Sequence, residues 1–261
     1  MPWTSGLEVV ELEPITQGDP PMAPCKAILK ARKCLCEGTT AFYFERPPSF
    51  EFKAGQFANL TLLDTAEPNL EGSTRTLSLA SAPNEKDLMV AMRNRDTGFK
   101  RAIHALPIGS AVLFQGPFGN FTLHRDIARP AVLLAGGIGI TPFRSMLWQA
   151  ATMRSPHQMF LFYANRRPQE AAFLEELRDL EQFNPRYKLI TTITHPSEAT
   201  PDWRGERGYF TEKMLKKWLP DLKVPVFYLA GPAGGVTGMR LTLNAAGVSD
   251  DDIRAEEFPG Y

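Results

Sequence analysis

AVLLAGGIGIT, residues 131–141, is followed directly by Pro142. Ala131 to Ala135 are small or aliphatic without a break, the pattern of a short strand buried on both faces. Gly136, Gly137 and Gly139 then allow a sharp turn and the close approach of a ligand to the main chain. Thr141 is a good N-cap, and Pro142 suits the first helical position. Phe143, Met146, Leu147 and Ala150 continue at helical spacing. The stretch predicts a strand, a glycine turn and a helix start. A helix start offers backbone N–H groups and a positive dipole end, which suit a phosphate. The spacing is not that of the GxGxxG fingerprint, and an ordinary strand-to-helix turn has similar letters. The rest of the chain has to decide between these readings.

Downstream, strand-like Ala131–Ala135, Met159–Ala164, Tyr187–Ile193 and Val226–Ala230 alternate with helical stretches. The best of these helices is expected over Gln169–Gln182, with Phe173, Leu177 and Leu180 on one face. Strands alternating with helices predict a parallel sheet wound by helices. Upstream the rhythm is different. Ala27–Cys36, Thr39–Glu45, Phe57–Leu63, Thr76–Ala80, Leu88–Met92 and Ala111–Gln115 read as short strands between turns, with one helical piece at 99–106. That spacing predicts an antiparallel β-barrel or sandwich. The expected organisation is a leader over residues 1–24, rich in proline, then a first domain over 25–126 and an α/β wound parallel-sheet domain over 127–261.

Composition narrows the function. Lys plus Arg and Asp plus Glu both number 29, so no net field draws the chain to nucleic acid or to a membrane surface. No apolar run is long enough to span a bilayer. The first residues lack a basic stretch followed by an apolar core, so no secretory signal is expected and the cytoplasm is the expected location. Cys25, Cys34 and Cys36 are an odd set, which argues against a disulfide framework. They are one short of a four-cysteine iron–sulfur set and read as small strand hydrophobes, with no metal-ligand signature. His104, His124, His157 and His195 are scattered and read as structural or surface residues.

Four places carry candidate chemistry. Arg75-Thr76-Leu77-Ser78 puts one charge in a strand, and an Arg can hold a phosphate through two parallel hydrogen bonds. Strand alternation sets Leu77 on the pleat of Arg75 and Ser78 on the other unless the chain bends. Lys100 and Arg101 follow Gly98 at the start of the short helix, the ingredients of an anion site. Ligands of wound sheets bind at the carboxyl ends of the strands, where Gly136–Thr141, Asn165-Arg166-Arg167 and Ala230-Gly231-Pro232 fall. The two adjacent guanidinium groups either grip an extra phosphate on a nucleotide ribose, which favours NADPH over NADH, or are solvated loop charges. Lys26, Lys30, Arg32 and Lys33 either dock an acidic partner or form a solvated face.

Taken in order, RTLSLAS (75–81), GPFGNF (116–121), LLAGGIGITP (133–142), YANRR (163–167), YLAGPAGG (228–235) and EEF (256–258) resemble the ferredoxin–NADP reductase superfamily. The likeness runs from about Cys25 to Tyr261. It implies an FAD-binding β-barrel, an NAD(P)-binding wound domain, and FAD with NADPH or NADH as cofactors. Hydride would pass from nicotinamide to flavin N5, and electrons would go on to a separate acceptor, such as a ferredoxin-like carrier. By the resemblance, Arg75 meets the FAD pyrophosphate beside Lys100 and Arg101, and Ser78 bonds near flavin N5. Leu77 stands where the family has an aromatic residue and would pack on the flavin face. Gly136, Gly137, Gly139, Thr141 and Pro142 form the nicotinamide-nucleotide phosphate loop. Ala230-Gly231-Pro232 lacks the cysteine often found beside the nicotinamide. Glu256 and Phe258 match a Glu-x-aromatic tail in which the ring covers the flavin, a role that Tyr261 could fill instead. The other reading of the tail is a last strand ending in a core Phe. A free-flavin reductase and a non-catalytic nucleotide-binding subunit remain the alternatives.

Overall fold

The computed structural model describes residues 23–63, 70–198 and 203–258. The expected leader falls almost wholly outside them, and so does Tyr261. In the first half lie β1 (Cys25–Cys36), β2 (Thr39–Glu45), β3 (Phe57–Leu62), α1 (Leu70–Ser73), β4 (Thr74–Ser78), β5 (Asp87–Arg93), α2 (Gly98–Ala105) and β6 (Ala111–Phe118). The six strands form an antiparallel sheet in the order β4-β3-β6-β1-β2-β5. β3 and β6 alternate between buried and half-buried residues, which gives the sheet one apolar face. That face buries Leu29, Phe42, Phe44, Leu60, Val112 and Phe114, and α2 adds Phe99 and Ile103 to the same core. The N–H groups of Ala80 and Ser81 both donate to Met89 O, at 2.8 and 3.3 Å, which closes β4 towards β5 into a barrel.

β4 begins and ends two residues earlier than the expected Thr76–Ala80. After Ser78 the chain leaves β3 and crosses to β5: Leu79 N–H bonds Gln56 O at 3.0 Å, and Ala80 N–H already bonds β5. Cys34 also departs from expectation. It is exposed, because the β1–β2 register shifts between Cys34 and Cys36.

The second half contains β7 (Ala131–Gly136), α3 (Ile140–Thr152), β8 (Met159–Asn165), α4 (Leu174–Phe183), β9 (Tyr187–Ile193), β10 (Glu206–Arg207), α5 (Glu212–Lys216), β11 (Val226–Pro232), α6 (Ala233–Ala245) and β12 (Ile253–Phe258). All six strands are parallel, in the order β10-β9-β8-β7-β11-β12. The chain winds outward from β7 through β8 to β10, then returns to the other side of β7 as β11. The switch point therefore lies between β7 and β11, where a wound sheet opens a crevice at its carboxyl ends.

Two helix starts differ from the sequence reading. Thr141 is not the N-cap of α3. Residues 137–139 form a 3-10 turn that runs straight into the helix, and the buried Thr141 hydroxyl donates to Ile138 O at 3.1 Å. The open N–H end is therefore the glycine turn itself. The helix expected over Gln169–Gln182 is shorter, starting only at Leu174. Phe173 precedes it with φ +61° and buries its ring, so only Leu177 and Leu180 share the helix face. The short turn at 168–170 occupies the rest of that span.

One core joins the two halves. Ala41, Ala54, Ala80, Met89 and Ala91 of the barrel pack with Phe121 against Ile138, Phe143, Met146 and Leu147. Phe121 meets Phe143 and Tyr228 with ring centroids 5.7 and 5.6 Å apart. The connecting segment is pinned onto the parallel sheet. Tyr228 Oη accepts from His124 N–H at 2.7 Å and donates to Thr122 O at 3.2 Å, while Arg254 donates to Thr122 O at 2.7 Å. Among the described residues no helix is long and apolar enough to cross a membrane.

Candidate functional site

The carboxyl ends of β7 and β11 come together only because glycine is there. A Cβ on Gly139 would lie 2.1 Å from Ala230 O, and Gly137 sits at φ +56°. The 3-10 turn thus rests directly on β11 and leaves its N–H end facing a groove of about 770 Å³. Gly136, Gly137, Asn165, Arg166, Arg167 and Pro232 line this groove. Gly139, Thr141, Pro142 and Gly231 do not line it and form its support. Asn165 is buried, and its Oδ1 has no hydrogen-bond partner among the described residues. A buried acceptor without a donor is costly, and a ligand hydroxyl or amide would satisfy it.

The two arginines after β8 differ. Arg166 is exposed in the groove. Arg167 is held by three carboxylates: Glu37 at 3.0 Å, Glu170 at 2.8 Å and Glu198 at 3.3 Å. Glu37 belongs to the β1–β2 turn, so this cluster ties the two halves together. Arg166 therefore leaves its guanidinium open to the groove, whereas the charge of Arg167 is already matched by carboxylates.

The barrel supplies the opposite wall through Gly38, Arg93, Asn94 and Arg95, none of which the sequence reading singled out. It also missed Thr194 and Tyr209, which line the far end. Thr194 was within reach, since it follows β9 by the same carboxyl-end rule. Arg93-Asn94-Arg95 offered a cationic run just before α2.

A second corner lies at the start of α2. Thr97 caps the helix, accepting from Lys100 N–H at 3.4 Å. The Arg75 guanidinium stands over the Phe99 ring at 5.3 Å. Burial lowers the pKa of Lys100, and the nearby positive charges of Arg95 and Arg75 lower it further. Three cations crowded at a helix N-terminus fit an anionic group such as a pyrophosphate, which would relieve their repulsion. Arg101 points to Asp96 and is exposed. Leu77 is half-buried and pairs with Ala58 towards the barrel core, on the pleat opposite Ser78.

Between corner and groove, the barrel rim meets the end of β12. Ser78 Oγ donates to Glu256 Oε1 at 3.2 Å, a contact between residues 178 positions apart. Glu256 Oε2 is buried and has no hydrogen-bond partner among the described residues. Burial pushes the Glu256 carboxyl up to about 7, against the opposing pull of the Ser78 hydrogen bond. Phe258 pairs with Pro232 in the sheet and packs on the shared core, half-buried. Phe57 pairs with both Ser78 and Phe118, and its ring lies 5.7 Å from that of Phe118. These two aromatics form an apolar platform beside Ser78, a third feature the sequence reading missed.

Solved structures share this arrangement of barrel and wound sheet. The flavohem-like FAD/NAD-binding domain of nitric oxide dioxygenase from Vibrio cholerae superposes with a TM-score of 0.77 at 21% identity, covering 89% of this chain and 98% of that one. A ferredoxin NADP+ reductase from Neisseria gonorrhoeae, solved with FAD and NADP, gives a TM-score of 0.75 at 21% identity, covering 90% and 98%. This chain has the ferredoxin–NADP reductase-like fold. Residues 133–240 match the family model of the oxidoreductase NAD-binding domain. The glycine betaine monooxygenase reductase subunit of Chromohalobacter salexigens is 28% identical over 84% of this chain and 60% of its own length. The toluate 1,2-dioxygenase electron transfer component of Pseudomonas putida is 27% identical over 79% and 59%. The chain thus spans about three fifths of the length of these curated relatives.

Proposed function

We propose that this chain is an FAD-dependent NAD(P)H oxidoreductase that passes electrons to a separate acceptor, such as a ferredoxin-like protein. Bound FAD would supply the redox chemistry, accepting a hydride from a reduced nicotinamide, which would leave oxidised, and making the two electrons available to the acceptor singly or as a pair. The observation that carries the proposal is the Ser78–Glu256 pair. It stands where the rim of the barrel meets the strand ends of the parallel sheet, with a buried carboxyl oxygen that has no partner among the described residues, between a dinucleotide-sized groove and a cationic helix end.

The residues fit such a group in parts. Arg75, Lys100 and the start of α2 would hold the pyrophosphate, and Thr76 stays on the exposed edge beside them, its hydroxyl bonded to Asn59 Oδ1 at 2.7 Å. Phe57 and Phe118 would pack a flat ring, and Ser78 would present a hydroxyl to its polar edge. Glu256 would hold a proton at its carboxyl near neutral pH. Phe258 would screen the ring from water. Gly136, Gly137, Asn165 and Pro232 would seat the nicotinamide nucleotide. For the donor we favour NADH, because Glu37, Glu170 and Glu198 neutralise Arg167 and would repel a further phosphate. This reverses the NADPH preference drawn from the two arginines alone. The acceptor lies outside this sequence, whose three cysteines fall short of a four-cysteine cluster. The relatives named as reductase or electron transfer components of oxygenases support an oxygenase-linked acceptor. Cys25, Cys34 and Cys36 are unpaired, which suits the cytoplasm.

A visible spectrum of the purified chain, repeated anaerobically with NADH and separately with NADPH, tests the proposal. Flavin bands that bleach, faster with NADH, are expected. A colourless protein that reduces only added flavin would make it a free-flavin reductase. A colourless, inert one would make it a non-catalytic nucleotide-binding subunit.

A further inference from the structure

Arg144 lies on α3, five residues after Gly139, on a helix whose neighbouring core positions Phe143, Met146 and Leu147 are apolar. Its side chain is only 6% exposed. Its guanidinium does not serve its own sheet. Nη1 donates to Ala80 O at 3.0 Å and to Glu85 Oε2, while Nη2 donates to Glu85 Oε1 at 3.0 Å. Nη2 also forms an ion pair with Glu176 Oε1 of α4 at 2.5 Å. The Trp148 and Phe173 rings flank it at 4.9 and 5.7 Å. Around it, Ser145 Oγ donates to Ser81 O at 2.7 Å, and Asn84 Nδ2 donates to Thr152 Oγ1 at 2.6 Å.

Segment 80–85 of the barrel is therefore fastened along α3 from Arg144 to Thr152. That segment is stiff in its own right. Glu85 Oε2 accepts from Ala82 N–H at 2.5 Å, and Arg46 holds Pro83 O. It begins two residues after Ser78, and α3 begins directly after the glycine turn of the groove. We propose that Arg144 is a positioning residue: its fork onto Glu85 and Ala80, braced by Glu176, fixes the groove against the Ser78–Glu256 rim. This rests on the reading of the function given above. Apolar packing alone would hold α3 to the barrel but leave it free to slide. A bidentate guanidinium–carboxylate pair has one geometry. A misplacement of about 1 Å between reacting groups costs on the order of 100-fold in rate.

Three variants test this: Arg144→Lys, Glu85→Gln, and the combined exchange Arg144→Met, Glu85→Leu, Glu176→Leu, which leaves no buried charge behind if the single variants fold poorly. Calorimetry of the flavin-free chain should show one transition for the wild type and two for the combined variant. In single-turnover bleaching of bound flavin at saturating NADH, the variants should be slower by about 10-fold or more. Half-saturation by NADH should change by less than about 3-fold, and bleaching by dithionite should keep its rate. A folded variant that bleaches at the wild-type rate overturns the proposal, whether or not its transitions separate. So does a slower rate matched by an equal rise in half-saturation, which would mean lost binding. If the wild type holds no flavin or is not bleached by either nicotinamide, the functional reading fails instead, and calorimetry alone decides whether Arg144 fastens the two halves.

Discussion

Exchanging Glu256 for Gln should make the protein more stable at pH 8 while changing little at pH 5. The carboxyl has an ordinary value of 4.5 and is pushed up to about 7 in the folded chain, mainly by burial. The folded state therefore prefers the neutral acid. The stability this gives is fully present below about pH 4.5 and is lost as pH rises through about 7. Above that, an ionised Glu256 costs about 3 kcal/mol relative to the unfolded chain. Gln keeps an acceptor for the Ser78 hydroxyl and cannot ionise. Urea titrations of the flavin-free chain should place the variant within about 1 kcal/mol of wild type at pH 5, and about 3 kcal/mol above it at pH 8. A gap of the same size at both pH values would refute the reasoning, because it would mean that Glu256 titrates no differently when folded.

Other sites give sharper yes-or-no outcomes. Gly139→Ala would force a Cβ to within 2.1 Å of Ala230 O, so β7 and β11 must part; a loss of more than about 2 kcal/mol in urea unfolding is expected, and wild-type stability would contradict it. Lys100→Glu should weaken flavin retention on gel filtration by at least about 10-fold, since it replaces a crowded cation with a like charge to the pyrophosphate. Arg166→Ala should weaken NADH binding, whereas Arg167→Ala should chiefly unfasten Glu37; equal effects on NADH titrations would put both arginines on the ligand. Reversing the charges of Lys26 and Lys33 should raise KM for an acidic ferredoxin at low salt; Lys30 is already paired with Asp87 at 2.7 Å, and an unchanged KM removes β1 as the docking face.

The fold was legible because each half has its own periodicity. The two-residue alternation of Phe57–Leu62 and the unbroken AVLLA of β7 belong to different kinds of sheet, and the chain order of strands and helices did the rest. Strand ends were harder to read. β4 slips by two residues because its hydrogen bonds change partner after Ser78, a long-range event that no local pattern encodes. Phe173 has the right spacing for a helix face, yet Pro168 and a left-handed backbone at 173 delay the helix. The glycine turn was found from its letters alone, whereas its capping was misread because residues 137–139 continue into the helix. Legibility failed most where function depends on pairing across the halves. Glu37 beside Arg167 and Ser78 beside Glu256 are 130 and 178 positions apart.

The wall that Gly38 and Arg93–Arg95 contribute to the groove bears on how such a protein can be recombined. Grafting residues 127–261 onto a foreign barrel would transplant only one side of the cleft. A chimera would need to carry the β1–β2 turn and the end of β5 as well, along with Glu85 for Arg144. Exchange between chains of this fold should therefore succeed for whole two-unit cassettes more readily than for either unit by itself.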